Sequence, residues 1–146
     1  MIIIADSGGS KIDWRLLQND KAIAQANTSG FNPYYQNIDH LREIVKESLL
    51  PLVNEPVSKV FYYGTGVSSE KNVRLIQSVF DEHFTNAHIE VGWDLLAAAR
   101  ALCGREPGIA CILGTGSNSC LYDGEKIIDN VANLGWIWLT KVRVLI

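Results

Sequence analysis

The residues with the clearest chemical potential are Asp6, Ser7, Gly8, Gly9, Ser10 and Lys11, in the stretch "IIIADSGGSKIDWRLL". Two adjacent glycines remove side chains from a turn, so backbone N–H groups can approach an anion such as a phosphate. Ser10 adds a hydroxyl donor and Lys11 a positive charge. Asp6 closes an apolar run and is an oxygen ligand suited to Mg²⁺, reached through water because that ion keeps several waters. About a hundred residues later the design recurs: "CILGTGSNSCLY" places Gly114, Thr115, Gly116 and Ser117 between two further apolar runs. Either turn alone is equally well read as a glycine hairpin without a ligand, since such turns are common. The pair, with Asp94 in "VGWDLLAAAR" between them, points to an anion site. On its own, Asp94 is also explained as a first-turn carboxylate favoured by a helix dipole.

Positioning these residues requires strands that end at the turns. Apolar and β-branched runs predict strands over 2–5, 12–17, 22–27, 59–63 and 87–91, then 109–113, 119–122 and 127–131. "QNDK" and "DGEK" read as hairpin turns. Ile38, Leu41, Ile44, Val45, Ser48 and Leu49 recur at helical spacing, which predicts a helix over 37–50 ended by Pro51. Ser69 is placed to cap a second helix carrying Val73, Ile76, Val79 and Phe80. A third is expected over 93–102. The order βββαβαβα is followed by βββ, and the first hairpin aligns with the later one: "LLQNDKAI" falls on "LYDGEKII". These matches indicate an internal duplication. One complete domain is expected over 1–105, with 106–146 as the first strands of a second copy that lacks its helices.

Composition narrows the classes of function. The chain of 146 residues is long enough for a real core, and its net charge of −3 offers no general attraction to nucleic acid or to a membrane surface. The opening "MIIIA" is too short for a signal segment, and no apolar run approaches the roughly 20 residues of a membrane span. A soluble, cytoplasmic protein is expected. Cys103, Cys111 and Cys120 form no CxxC pair, and the histidines form no HExxH pattern, so neither a disulfide framework nor a zinc site is suggested.

Two turns of the types DxGGS and LGTGS, each opening a βββαβα half, resemble the superfamily of sugar kinases, heat-shock ATPases and actin. Within it the chain is most similar to the N-acetylglucosamine kinase family and to the related activator ATPases of benzoyl-CoA reductase and hydroxyacyl-CoA dehydratase. The likeness runs to Trp136 and corresponds to the N-terminal half of such a kinase. It implies an α/β, ribonuclease-H-like, actin-type ATPase domain. It further implies ATP and Mg²⁺ as cofactors, and phosphorylation of N-acetylglucosamine or a related hexosamine at the 6-hydroxyl. Asp94 would be the catalytic base, with Asp6 at the metal. Ser7–Lys11 and Gly114–Ser117 would hold phosphates from opposite sides of a cleft. Asn32, Asn118, Gly135 and Trp136 would contact the sugar, with Gly64–Gly66 beside the cleft. Ser10 stands where the family often has Thr, which keeps the hydroxyl. The resemblance also accommodates a homodimer.

The other readings are an activator ATPase, which needs cysteines for a shared iron–sulfur cluster, and a non-catalytic sugar-binding or regulatory module. The present chain by itself is expected to be inactive. Its tail, Trp138 to Ile146, matches nothing in the family, whose glycine-aromatic loop is succeeded by a segment like I-L-G-D-E-G-S-G. One synonymous coding of Ile137 to Leu145, given a single added base, reads I-L-A-D-E-G-S-G-A. A frame change near Ile137, truncating a protein of about twice this length, is the expectation drawn from it.

Overall fold

The computed structural model describes residues 1–113 and 117–131. The chain forms two compact units, Met1–Asp94 and Leu95–Ile146.

The first unit is built on a five-stranded sheet. Strands β1 (Ile2–Ser7), β2 (Lys11–Gln18) and β3 (Lys21–Ser29) form an antiparallel meander, and β4 (Lys59–Gly64) and β5 (His88–Trp93) add in parallel on the other side of β1. The order is β3-β2-β1-β4-β5. Strands β1, β2 and β3 run longer than their apolar runs predict, because pairing extends into the polar residues at their ends, while β4 gains Gly64 and β5 runs on to Gly92 and Trp93. Asn19 and Asp20, both at positive φ (49° and 60°), close the β2–β3 hairpin. That backbone is the tight two-residue turn whose twist matches the strands, and Asn and Asp tolerate it well.

Alternation places Ile3, Ala5 and Ser7 of β1, and Ile12, Trp14 and Leu16 of β2, on a buried face. Helices α1 (Ile38–Ile44) and α2 (Glu70–Asp81) supply Leu41, Ile44, Ile76, Val79 and Phe80 to the same core. Trp14, Tyr62 and Phe80 meet at its centre, with ring centroids 5.6–6.4 Å apart. Ser69 caps α2 by accepting the Asn72 N–H. Asn37 caps α1 by accepting the Asp39 N–H.

The first predicted helix needs correction. It is α-helical only to Ile44, then winds as a π-turn over Val45–Leu49 and a 3₁₀ turn over Leu50–Leu52. Pro51 has no N–H and its ring crowds the preceding turn, so the regular ladder cannot run to its expected end. The Leu50 N–H reaches back five residues to the Val45 carbonyl instead.

In the second unit, α3 (Asp94–Cys103) leads into an antiparallel meander of β6 (Gly108–Leu113), β7 (Ser117–Tyr122) and β8 (Ile127–Val131). This repeats the β1–β2–β3 arrangement. The division at Asp94 groups α3 with these strands, where the sequence expectation put the boundary at residue 105. The Tyr122 hydroxyl donates to the Gly104 carbonyl (3.3 Å) and to the Gly124 carbonyl (2.9 Å), and Gly108 lies against the Cys103 sulfur. These contacts tie the C-terminal end of α3 to β7 and β6. The aligned turns and the expected tail segment at 114–116 and 132–146, including Gly114, Thr115, Gly116, Gly135, Trp136 and the segment beyond Ile137, lie outside the described residues.

Candidate active site

Parallel strands expose their carboxyl ends along one edge, and ligands of open α/β sheets bind outside that edge. Ser7 pairs with Gly64, and Gly64 with Trp93, so β1, β4 and β5 end in a single rung. The residues just past each strand gather there: the Gly8–Ser10 turn after β1, Thr65 and Gly66 after β4, and Asp94 after β5. Asp94 is partly buried and is the first residue of α3. Asn32 comes after β3, on the loop beside the first turn.

The first turn is built from inside. The buried Ser7 hydroxyl accepts the Tyr62 O–H at 2.7 Å and donates to the Phe31 carbonyl at 3.5 Å, while the Ser7 carbonyl accepts the Thr65 N–H. The Gly8 N–H donates to the Lys11 carbonyl, and the Gly8 carbonyl accepts the Phe31 N–H. The Ser7 side chain and the Gly8 N–H are therefore committed to the fold, although both residues were expected at the phosphates. Gly9 and Ser10 form the exposed tip, with nothing near the position of a Gly9 Cβ. Burial raises the Tyr62 hydroxyl pKa, and the hydrogen bond to Ser7 partly opposes that rise. Tyr62 stays neutral and donates at any physiological pH.

Asp6 lies directly opposite Asp13 across β1 and β2. Partial desolvation and the Asp13 carboxylate raise the Asp6 pKa, and Lys11 opposes this. Lys11 reaches Asp13 at 2.7 Å. Two carboxylates facing each other at a strand end are unfavourable without a cation. They are hard oxygen donors, and this donor set fits Mg²⁺ completed by water and phosphate oxygens. Among the described residues no group of three or more His, Cys, Asp or Glu side chains gathers as a metal cage.

Asn32 is held on both sides. Its Oδ1 accepts the Tyr34 N–H at 3.0 Å and its own N–H donates to Gln36 Oε1 at 2.8 Å. Tyr34 Oη bonds Ser68 Oγ at 3.0 Å, which links this loop to the one after β4.

Asp6, Ser7, Gly8, Gly9, Ser10, Lys11, Asn32, Gly64, Gly66 and Asp94 thus share the first unit, most of them along one sheet edge. Ser117 and Asn118 belong to the second unit, at the start of β7, where Ser117 pairs with Leu113 and the Asn118 Oδ1 accepts the Ser119 N–H. Sequence reasoning missed Asp13, Gly30 and Tyr62. Asp13 was within reach: a hairpin pivoting on Gly9 and Ser10 pairs 7 with 12 and 6 with 13. Gly30 and Tyr62 had no local signal, because their partners are distant in sequence.

No protein-family model matches the chain, and no curated protein matches it. Among solved structures it is similar to a protein from Porphyromonas gingivalis described as a putative N-acetylglucosamine kinase, at 40% identity and a TM-score of 0.86 over 94% of this chain. It is similar in fold to a ROK family glucokinase from Streptomyces griseus, in complex with glucose and AMPPNP (17% identity, TM-score 0.63, 86% of this chain and 45% of that one). A ROK hexokinase from Thermus thermophilus matches likewise (14% identity, TM-score 0.62, 92% of this chain and 50% of that one). The chain spans 50% of the Porphyromonas gingivalis protein, about half the length of the structures it matches. With its five-stranded sheet in this order and its turn after β1, the chain has the actin-like ATPase fold of the sugar kinases and, within it, is similar to the N-terminal half of the protein described as a putative N-acetylglucosamine kinase.

Proposed function

We propose that this chain carries the phosphate turn and the catalytic base of an ATP-dependent kinase that phosphorylates N-acetylglucosamine, or a related hexosamine, at its 6-hydroxyl. The observation that carries the reading is the common rung of Ser7, Gly64 and Trp93. It puts the Gly8–Ser10 turn and Asp94 at one sheet edge, two strand spacings apart, or roughly 10 Å. That separation accommodates a transferring phosphoryl group and the hydroxyl that attacks it.

In this mechanism the exposed Gly9 and Ser10 N–H groups, the Ser10 hydroxyl and Lys11 bind phosphate oxygens. Asp94 accepts the proton of the sugar hydroxyl as its oxygen bonds to the γ-phosphorus. The bond from that phosphorus to the bridging oxygen breaks, and ADP leaves with the electron pair. Asp6 and Asp13 would hold Mg²⁺, which would supply charge neutralisation at the phosphates. Asn32 donates from its NH₂ to a sugar oxygen. In the second unit, Gly114, Thr115, Gly116 and Ser117 contact phosphates, and Asn118, Gly135 and Trp136 the sugar. N-acetylglucosamine is favoured over other hexoses by the likeness to the Porphyromonas gingivalis protein, at 40% identity. The whole site belongs to a protein of the length of those relatives, and the 146-residue chain alone is expected to turn over little.

The test is transfer from Mg-ATP to N-acetylglucosamine, read as the 6-phosphate by NMR, in the protein extended to the length of its relatives. Asp94→Asn should lower the rate by about 10²–10⁴-fold with sugar affinity nearly unchanged. Near-normal turnover in that variant removes Asp94 from the chemistry. Absence of the 6-phosphate with the unaltered protein removes the sugar assignment.

A further inference from the structure

Gly30 sits where the chain leaves β3 and turns toward Asn32, and it touches the phosphate turn directly. A Cβ at Gly30 would stand 2.4 Å from the Gly9 carbonyl carbon, 2.5 Å from the Gly8 carbonyl oxygen and 2.5 Å from the Gly9 carbonyl oxygen. All three are backbone atoms, so no side chain can swing away to make room. The next residue binds the same turn: the Phe31 N–H donates to the Gly8 carbonyl, and the Phe31 carbonyl accepts the Ser7 hydroxyl. Beyond it, a Cβ at Gly66 would stand 2.5 Å from Asn32 Oδ1 and 3.1 Å from both Pro33 and Tyr34. Gly66 has φ of +74°, a backbone that disfavours other residues in any case. The loop from Gly30 to Tyr34 is thus wedged between two turns, resting on glycine at each end.

From these contacts we infer that Gly30 is a positioning residue that couples the phosphate turn to the Asn32 loop, so that occupancy of one fixes the geometry of the other. The coupling rests on the kinase reading above for the identity of its ligands, but not for its mechanics. A nucleotide that draws the Gly8–Gly9 backbone toward its phosphates moves the surface against which Gly30 packs. Because Phe31 is bonded to Ser7 and Gly8 on both its N–H and its carbonyl, the movement passes to Asn32 without a flexible joint. In a close-packed contact such shifts are transmitted rather than absorbed.

The experiment is Gly30→Ala in the protein extended to the length of its relatives, with amide NMR and calorimetry. The methyl group should displace the amide signals of Gly8–Lys11 and of Asn32–Gln36 together, while those of α2 stay in place. Affinities for Mg-AMPPNP and for N-acetylglucosamine should both fall by about tenfold or more, equivalent to about 1.4 kcal/mol of lost binding. Val79→Ala, which opens a gap in the core far from the turn, should lower the Tm and leave both affinities within about twofold. A merely structural Gly30 would behave like Val79. If Gly30→Ala does not fold, the unaltered chain decides: saturation with Mg-AMPPNP should move the Asn32–Gln36 amides. Displacement confined to Gly30 and its immediate neighbours, or loss of one affinity without the other, overturns the coupling. A protein extended to the length of its relatives that binds neither ligand overturns the kinase reading instead, and the amide pattern of Gly30→Ala still decides the coupling.

Discussion

Asp6 illustrates how a residue suited to a cation is held at some expense to the fold. Partial desolvation and the facing Asp13 raise its pKa above the ordinary carboxylate value, with Lys11 opposing. A carboxyl whose pKa is raised on folding favours its protonated form in the native state. Its contribution to stability is therefore present below the unfolded value of about 3.9. It is lost as the pH rises through the raised, folded value. Asp6→Asn should accordingly be slightly more stable than the parent at pH 7. The gain should be under about 1 kcal/mol because the side chain is exposed to solvent, and it should vanish near pH 3.5. Urea denaturation of both proteins at the two pH values measures it. The same substitution should reduce the Mg²⁺-dependence of nucleotide binding, so stability and ligand affinity should move in opposite directions. A variant that loses stability at pH 7 would show that Asp6 serves the fold and not a cation. Tyr62 is the reverse case: its hydroxyl is a buried donor to Ser7. Tyr62→Phe leaves Ser7 without that donor and should cost about 1–3 kcal/mol, visible as a lower urea midpoint.

Helix α2 is tied at its start to the edge of the sheet where the candidate residues gather. Its cap, Ser69, accepts the Asn72 N–H at 3.2 Å, and the Asn72 side chain donates to the Gly66 carbonyl at 2.8 Å. The start of the helix is therefore joined to the turn after β4 that seats Asn32. Ser69→Ala should cost about 0.5–2 kcal/mol and Ser69→Gly only a few tenths, read as a lower urea midpoint with an unchanged slope. Ser69 and the apolar stripe behind it were legible in the sequence because caps and periodicity are local. The strands and their order along the chain were legible for the same reason. The winding of the chain after Ile44 was not, because periodicity reports which side faces the core and says little about how tightly the backbone turns above Pro51. The site divides along the same line. Asp6, the Gly8–Gly9 turn and Asp94 lie at strand ends that the apolar runs mark. The seating of Gly30 beneath that turn, and of Ser7 beneath Tyr62, depends on contacts between residues far apart in sequence (55 positions in the second case).

At the scale of the whole molecule, the described residues of the two units differ in how much core they form. Every residue of the main hydrophobic cluster, with the apolar residues packed on it, falls between Met1 and Trp93. Within that span Trp14, Phe31, Tyr62, Ile76 and Phe80 are wholly buried. Among the described residues of the second unit, the buried apolar side chains are Leu95, Ala99, Ala110, Cys120 and Tyr122, while Leu102, Ile109, Leu113, Leu121, Ile128 and Val131 are exposed. Register puts Ile109, Leu113 and Leu121 on one face of the three-stranded sheet, since Ile109 pairs with Leu121 and side chains two apart share a face. Exposed apolar faces of this kind drive association or bind apolar probes. A chain ending at Asp94 should therefore fold by itself and unfold in one cooperative transition, because it retains the complete cluster and the full β3-β2-β1-β4-β5 sheet. The segment from Leu95 onward, made separately, should lack a cooperative transition, since its described residues bury only Leu95, Ala99, Ala110, Cys120 and Tyr122 among apolar side chains. Hydrogen exchange on the full chain should show the same asymmetry, with slow amides in β1, β2 and β4 and faster ones in β6–β8. An apolar dye should bind the full chain and not the piece ending at Asp94. Loss of cooperative unfolding in that shorter piece would mean that the first unit leans on residues beyond Asp94, and equal protection of both sheets would mean that the second unit has a core of its own.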